Sequence, residues 1–138
     1  AVERGVPDLA LENTVEACIL MSGLGFESGG LSLAHALTRG LTAHAATSRA
    51  LHGEMVGFGT LVQLIHEQRP IEQVRDLKQF LDRVGLPSRV GQLGLQQPRD
   101  EDFEAIALPT LQAPYIRHVR HPIDRDILVD CLRRTETL

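Results

Sequence analysis

The chain has 138 residues, which allows one compact domain with a hydrophobic core. Hydrophobic residues make up 43% of it, and the formal net charge of -4 argues against a nucleic-acid partner, which usually requires a basic excess. Two cysteines exclude a disulfide framework and a thiolate metal site, and we expect no stretch of the roughly 20 apolar residues that a membrane span needs.

The two cysteines and the N-terminus indicate the setting of the protein. Cys18 and Cys131 stand among apolar residues, so we expect both to be buried free thiols, in keeping with a reducing, cytoplasmic compartment. The first residues, AVERGVPDLA, lack both a signal-peptide layout and an initiator methionine. We therefore expect the chain to be a fragment of a longer protein.

The first helix is predicted to begin at Pro7 and Asp8 and to end at Gly23. Apolar side chains recur along it at helical spacing, and glycine commonly follows the last turn of a helix. The next segment, GLGFESGG, contains four glycines in eight residues. It predicts a turn-rich joint between two helices.

The second helix is predicted to begin at Ser28 or Gly29 and to end at Arg39, with Gly40 as its left-handed cap. Apolar residues cover it nearly all round. Such a helix is normally central and buried.

A third helix is predicted over 52–67 and a fourth between Pro70 and Gly85, where apolar side chains form a clean stripe. Gly53 and Gly57 lie on one face of the third helix. Each helical glycine costs roughly 1 kcal/mol against alanine. We therefore predict that another backbone packs closely against these two positions.

The C-terminal third is predicted to hold two more helices. Residues 86–100 indicate a loop with a short extended piece, after which Asp100 or Asp102 caps a helix through Leu108. The last helix starts at 122–124. The sequence shows no internal repeat and no alternating run long enough for a sheet, so we predict a single all-α domain.

His35 is the only ionisable side chain between Ser28 and Thr38, on a helix that we expect to be buried. A buried polar group without a partner costs roughly 1–3 kcal/mol. His35 therefore needs a backbone carbonyl, a carboxylate or a metal ion, and the residues alone favour the first two over the metal.

His52 is the second histidine of interest, because it stands at a predicted helix N-terminus. There the helix dipole favours the neutral imidazole, which is the form that binds metals. It lies seventeen residues from His35, so the two belong to different elements and their spacing forms no known short motif. The remaining histidines are less suited as metal ligands beside His52. His44 stands in a loop, and His118 and His121 stand in a polar stretch. His66 lies roughly 21 Å further along the third helix.

Two longer segments carry a resemblance. The stretch SGLGFESGGLSLAHALTRGLT, followed by ALHGEMVGFGTLVQL, resembles the glycerol dehydrogenases of the iron-containing alcohol dehydrogenase superfamily. The likeness is specific over residues 15–64 and looser to the chain end. Thr38 and Met55 stand where many members of the family have histidine and lysine, which weakens any inference about the exact substrate.

The resemblance implies a fold and an activity. The chain would be the C-terminal helical domain, of the dehydroquinate synthase-like type, of an NAD-dependent enzyme that oxidises glycerol to dihydroxyacetone. The N-terminal nucleotide-binding domain, which would bind most of the NAD, lies outside these 138 residues. Relatives assemble into homo-oligomers, so self-association is expected, without a nucleic acid or membrane partner.

The resemblance also implies a metal centre. The histidines of AHA and HGE correspond to His35 and His52, which would be catalytic ligands of Zn²⁺ or alternatively Fe²⁺ and lie next to the substrate. Phe26, in GFESGG, would lie near the substrate and the nicotinamide, or alternatively would fill the core or the joint. The third ligand would be an aspartate from a preceding segment, so the 138 residues alone are expected to bind metal weakly and to be inactive. Glu27 and Glu54 are possible substitutes, although a capping or solvated role is more natural for both.

Two other classes of protein remain open. The chain could be a non-enzymatic helical module in which His35 is merely hydrogen-bonded. It could also belong to a related metal-dependent enzyme that acts on a hydroxy acid or a phosphorylated polyol, or that eliminates phosphate as dehydroquinate synthases do. No cluster of Lys and Arg adjoins Phe26 or His35 in the sequence, which favours an uncharged polyol.

Overall fold

A computed structural model describes all 138 residues, and it contains helices and no strands, which confirms the predicted all-α class. The chain divides into two compact units, Ala1–Gly30 and Leu31–Leu138, which are described separately. The elements in chain order are the six α-helices α1 (Leu9–Gly29), α2 (Leu33–Ala43), α3 (His52–His66), α4 (Ile71–Val84), α5 (Asp100–Leu111) and α6 (Arg125–Thr137), with 3₁₀ turns at Val90–Leu93 and Pro114–His118.

The first unit is essentially the helix α1, which starts as predicted but runs six residues beyond the predicted end at Gly23. The Asp8 carboxylate caps it by accepting the backbone N–H of Leu11 at 3.0 Å. The predicted joint GLGFESGG is therefore mostly helical, and the helix ends only where Gly30 takes a left-handed φ of 67°. A helical glycine costs only about 1 kcal/mol, which is too little to end a helix by itself.

Every residue of α1 is exposed within this chain. Cys18 is therefore exposed, which corrects the prediction that it is buried. By length and apolar composition α1 could also cross a membrane, whereas we expected no such stretch. The core helix of a globular protein meets the same criteria, so this likeness is weak by itself.

The second unit is built around α2, which packs against α3 and α5. Its buried side chains include Leu33, Leu37 and Leu41, and α3 adds Phe58 and Leu61 to the same core. The predicted burial of the second helix is confirmed. Because α2 and α3 share this core, their first turns are held in fixed positions.

The ends of α2 differ from the prediction. The helix begins at Leu33, after Ser32, and ends at Ala43. Gly40 is thus a buried residue inside the helix and not its cap. A Cβ at this position would collide with the carbonyl oxygen of Ile106 and with the Thr110 side chain. The glycine at residue 40 is needed for close packing of α2 on α5.

The helices α3 and α4 match the prediction, and Gly85 ends α4 with a left-handed φ of 75°. The close approach at Gly53 and Gly57 is not found. A Cβ on Gly53 would meet nothing within 4 Å, and one on Gly57 would make an ordinary contact with Leu81 at 3.6 Å. The close approach occurs at Gly59 instead.

The C-terminal helices confirm the prediction with small differences at their ends. A 3₁₀ turn replaces the expected extended piece. In the first turn of α5, Asp102 accepts the backbone N–H of Arg99 at 2.9 Å, and the helix continues through Pro109 to Leu111. Asp124 caps α6 by accepting the N–H of Ile127 at 2.8 Å.

Candidate metal centre

His35 lies in the first turn of α2 and is half-buried. Burial, and secondly the charge of the His52 imidazolium, lower the pKa of His35 below its ordinary value of 6.5. The ring is therefore neutral near pH 7. This is the protonation state in which an imidazole nitrogen can bind a metal ion.

His52 is the first residue of α3, and its side chain is exposed. The centroids of the His35 and His52 rings lie 5.7 Å apart, and the ring planes are inclined by 53°. The packing of α2 on α3 thus brings together two histidines that are seventeen residues apart in sequence. The predicted pair shares one location at the N-termini of two neighbouring helices.

The spacing of the two rings fits a shared metal ion. An imidazole nitrogen binds zinc at about 2.0–2.1 Å, so two rings on one tetrahedral ion have centroids roughly 5–6 Å apart. Imidazole suits both zinc and iron. No group of three His, Cys, Asp or Glu side chains in the 138 residues is arranged to hold a metal ion. The chain therefore offers two donors where a catalytic zinc site normally has three protein ligands.

The two glutamates named as possible third ligands have different surroundings. Glu54 Oε2 accepts the backbone N–H of Leu51 at 2.8 Å, so this carboxylate caps the first turn of α3. Glu27 is an exposed residue of α1 in the first unit. Phe26 lies beside it, with 62% of its surface exposed, and its role near the substrate stays a prediction.

None of the other four histidines joins this pair in a group of three possible ligands. His44 Nε2 lies 3.3 Å from an Asp102 carboxylate oxygen. The buried His66 ring has its Nε2 3.3 Å from the Pro122 carbonyl oxygen, and its centroid lies 6.2 Å from that of His121. His118, an exposed residue of the polar stretch, has its Nδ1 2.8 Å from the carbonyl oxygen of Leu31, just before α2.

Two residues for which the sequence predicted no role contact the backbone beside His35. Gln63 Oε1 accepts the N–H of Ala34 at 3.1 Å. A Cβ on Gly59 would lie 2.5 Å from the Ala34 carbonyl oxygen. A glutamine within the apolar run FGTLVQLI was the signal that could have identified Gln63, because a buried amide needs hydrogen-bond partners.

Comparisons with known proteins identify relatives of the chain. No protein-family model matches the chain. Glycerol dehydrogenase 1 from Schizosaccharomyces pombe is 46% identical over 110 residues, which are 79% of this chain and 24% of that protein. The crystal structure of a probable glycerol dehydrogenase from Sinorhizobium meliloti superposes with a TM-score of 0.90 at 33% identity, over 99% of this chain and 39% of the other. The chain is therefore homologous to part of the glycerol dehydrogenases.

These glycerol dehydrogenases extend well beyond the residues described. The chain spans 24% to 30% of the length of the curated relatives it matches. A further relative, glycolaldehyde reductase from Halobacterium salinarum, is 39% identical over 78% of this chain and 29% of its own length. The superposition on the Sinorhizobium structure covers almost the whole chain and so includes α1. A helix equivalent to α1 is therefore part of that probable glycerol dehydrogenase.

Proposed function

We propose that these residues form the metal-binding helical part of an NAD-dependent dehydrogenase that oxidises glycerol to dihydroxyacetone. The convergence of the His35 and His52 rings, 5.7 Å apart, carries this proposal. Homology to the glycerol dehydrogenases supports the reaction, because relatives bear that name. Zn²⁺ is the proposed ion, with Fe²⁺ as the alternative.

The two histidines bind and position the cation. Burial keeps His35 neutral near pH 7, so its ring nitrogen is available without loss of a proton. His52 extends from the first residue of α3 into an exposed position, where a small substrate has access. When bound, the cation would act as a Lewis acid that stabilises negative charge on an alcohol oxygen, while NAD would accept the hydride.

The rest of the site is proposed to come from outside these residues. The chain has no third histidine, cysteine or carboxylate arranged beside the pair, and Glu54 is engaged as a helix cap. We therefore propose that a ligand from beyond the described chain completes the set, and the family resemblance implies that it is an aspartate. The nucleotide-binding domain is also proposed to lie outside it, so the 138 residues alone would lack turnover.

The proposed substrate is a small uncharged polyol. Arg39 and Arg49 are the only basic residues between Gly23 and Leu51, so this stretch offers little positive charge to bind a phosphate group. The glycolaldehyde reductase relative favours a second candidate, the reduction of a small hydroxyaldehyde. Glycerol, propane-1,2-diol and glycolaldehyde therefore form the first substrate panel, with glycerol 1-phosphate and a 2-hydroxy acid as charged comparisons.

The test uses the full-length protein and its His35→Ala and His52→Ala variants. Bound zinc is measured by elemental analysis, and NAD reduction by glycerol is followed by absorbance. We expect zinc and activity in the unchanged protein and the loss of both in each variant. Retention of zinc and activity in both variants would contradict the ligand assignment. Preferred turnover of glycolaldehyde would instead favour the second candidate.

A further inference from the structure

The first turn of α2 lacks a cap from its own residues. The side chain of Ser32, at the N-cap position, caps no backbone N–H of the helix, and its Oγ donates instead to the His118 carbonyl oxygen at 3.4 Å. The first backbone N–H groups of a helix have no partner within it. The N–H of Ala34 is bound by Gln63 from α3, at 3.1 Å. A side chain of one helix thus caps the other.

The orientation of the Gln63 amide is fixed by a second hydrogen bond. Its Nε2 donates at 2.9 Å to Oε1 of Glu67, the residue that follows α3, and Glu67 Oε2 accepts from Arg69 Nε at 3.0 Å. Burial acts to raise the pKa of Glu67, but the hydrogen bonds from Gln63 and Arg69 lower it overall. The ionised carboxylate holds the amide NH₂ group, so the amide oxygen points to Ala34.

Gly59 contacts the same place on α2, one turn before Gln63. A Cβ at residue 59 would lie 2.5 Å from the Ala34 carbonyl oxygen and 3.0 Å from its Cα. Real Cβ atoms do not approach backbone atoms so closely, so a larger residue would push the two helices apart. Both contacts from α3 therefore meet at Ala34, the residue immediately before His35.

We propose that Gln63 and Gly59 are positioning residues that hold the first turn of α2 on α3 and thereby keep His35 at metal-sharing distance from His52. Gln63 supplies the directional bond, and Gly59 allows the close approach. This inference rests on the proposed function, because it concerns the same two histidines. It predicts that metal affinity depends on side chains that bind neither the ion nor the substrate.

The main test measures the Zn²⁺ affinity of the metal-free full-length protein by competition with a chelator of known affinity. Gln63→Leu removes both hydrogen bonds and is expected to weaken binding about 10- to 100-fold, as losses of supporting contacts around metal ligands do. Gln79→Leu, at an exposed glutamine of α4, is the matched control and should leave the affinity unchanged. Equal affinities for Gln63→Leu and unchanged protein would overturn the proposal.

A charge-swapped pair separates positioning from general stability. Gln63→Glu alone sets a second carboxylate against Glu67 and should weaken Zn²⁺ binding. In the double variant Gln63→Glu/Glu67→Gln, the amide introduced at residue 67 can donate to the carboxylate at residue 63, whose other oxygen accepts the Ala34 N–H. We expect the double variant to bind Zn²⁺ within about threefold of the unchanged protein, near the limit of context effects. Failure of this rescue in a folded protein would overturn the proposal.

Gly59→Ala gives an independent measurement through the visible spectrum of bound Co²⁺, which reports ligand geometry. We expect a shifted spectrum or a lower Co²⁺ affinity at unchanged helix content by circular dichroism. An unchanged spectrum and affinity would contradict the role of Gly59.

The His35→Ala variant distinguishes a failure of the proposed metal site from a failure of the positioning role. If it does not change Zn²⁺ affinity, the proposed function fails; if it lowers affinity while Gln63→Leu does not, only the positioning role fails.

Discussion

The carboxylate of Asp102 lies 3.3 Å from Nε2 of His44 and also accepts the backbone N–H of Arg99 at 2.9 Å. It therefore links the residue that follows α2 to the first turn of α5. The backbone N–H of Arg99 and secondarily the His44 side chain lower the pKa of Asp102 below its usual 3.8. The folded protein favours the ionised form more than the unfolded chain does.

This difference predicts an acid-dependent loss of stability. A carboxyl group whose pKa is lower in the folded state stabilises the fold fully above its unfolded pKa, near 4. That contribution is lost as the pH falls from about 4 through the lower, folded pKa. Asp102→Asn should lower the unfolding midpoint at pH 6, and the difference from the unchanged protein should vanish towards pH 2. Asp76→Asn, at an exposed residue of α4, is the control. A difference in unfolding midpoint that stays constant at all pH values would show that it does not arise from the ionisation of Asp102.

The packing at Gly40 gives a second prediction. Gly40→Ala places a methyl group against the Ile106 carbonyl and should destabilise the fold by about 1–3 kcal/mol, because the backbone of α5 must move. Gly57→Ala is the matched control within a helix, with only an ordinary contact to Leu81 at 3.6 Å. It should be neutral or stabilise by up to about 1 kcal/mol. Urea unfolding measures the free energy of unfolding of both variants. Equal changes in this free energy would show that the contact at Gly40 is unimportant.

Cys131 provides a third prediction. It is buried in α6, and burial raises the pKa of its thiol from 9.0 to about 11. Thiolates are the reactive form, so Cys131 should not react with a disulfide reagent at pH 8 in the folded protein. A Cys18→Ser variant isolates this signal and should release one equivalent of thiol only on unfolding. Rapid reaction under native conditions would show that the C-terminal helix opens readily.

The 138-residue chain on its own offers a fourth prediction. With two imidazole donors and no third side chain arranged beside them, it should bind Zn²⁺ more weakly than the full-length protein and should not reduce NAD with glycerol. Isothermal titration with Zn²⁺ alone and an absorbance assay measure these properties. Tight zinc binding or clear turnover by these residues alone would contradict the need for an external ligand.

Local signals predicted some elements well and failed at others for physical reasons. The helix α4 combines a single apolar stripe with a proline before it and Gly85 after it, so its bounds follow from the sequence. The helix α1 continues through Gly23 and Gly25, so the glycine that was predicted to end it lies in its interior. The role of Gly40 was not predicted because it depends on Ile106 and Thr110 of α5, which are distant from Gly40 in sequence.

At the candidate site, too, the sequence predicted some features and not others. The sequence indicated that His35 and His52 lie on separate helices, but their spacing alone could not place the rings together. That expectation came from the family resemblance, and the geometry is consistent with it. The contacts of Gln63 and Gly59 with Ala34 depend on how α2 crosses α3, which no local pattern encodes.

The central claim is that His35 and His52 bind one cation. X-ray absorption at the zinc edge of the zinc-loaded full-length protein tests it most directly, because the spectrum counts the imidazole ligands at about 2.0–2.1 Å. We predict two imidazoles in the unchanged protein and one fewer in each of the variants His35→Gln and His52→Gln. Identical spectra from all three proteins, with zinc still bound, would contradict the account.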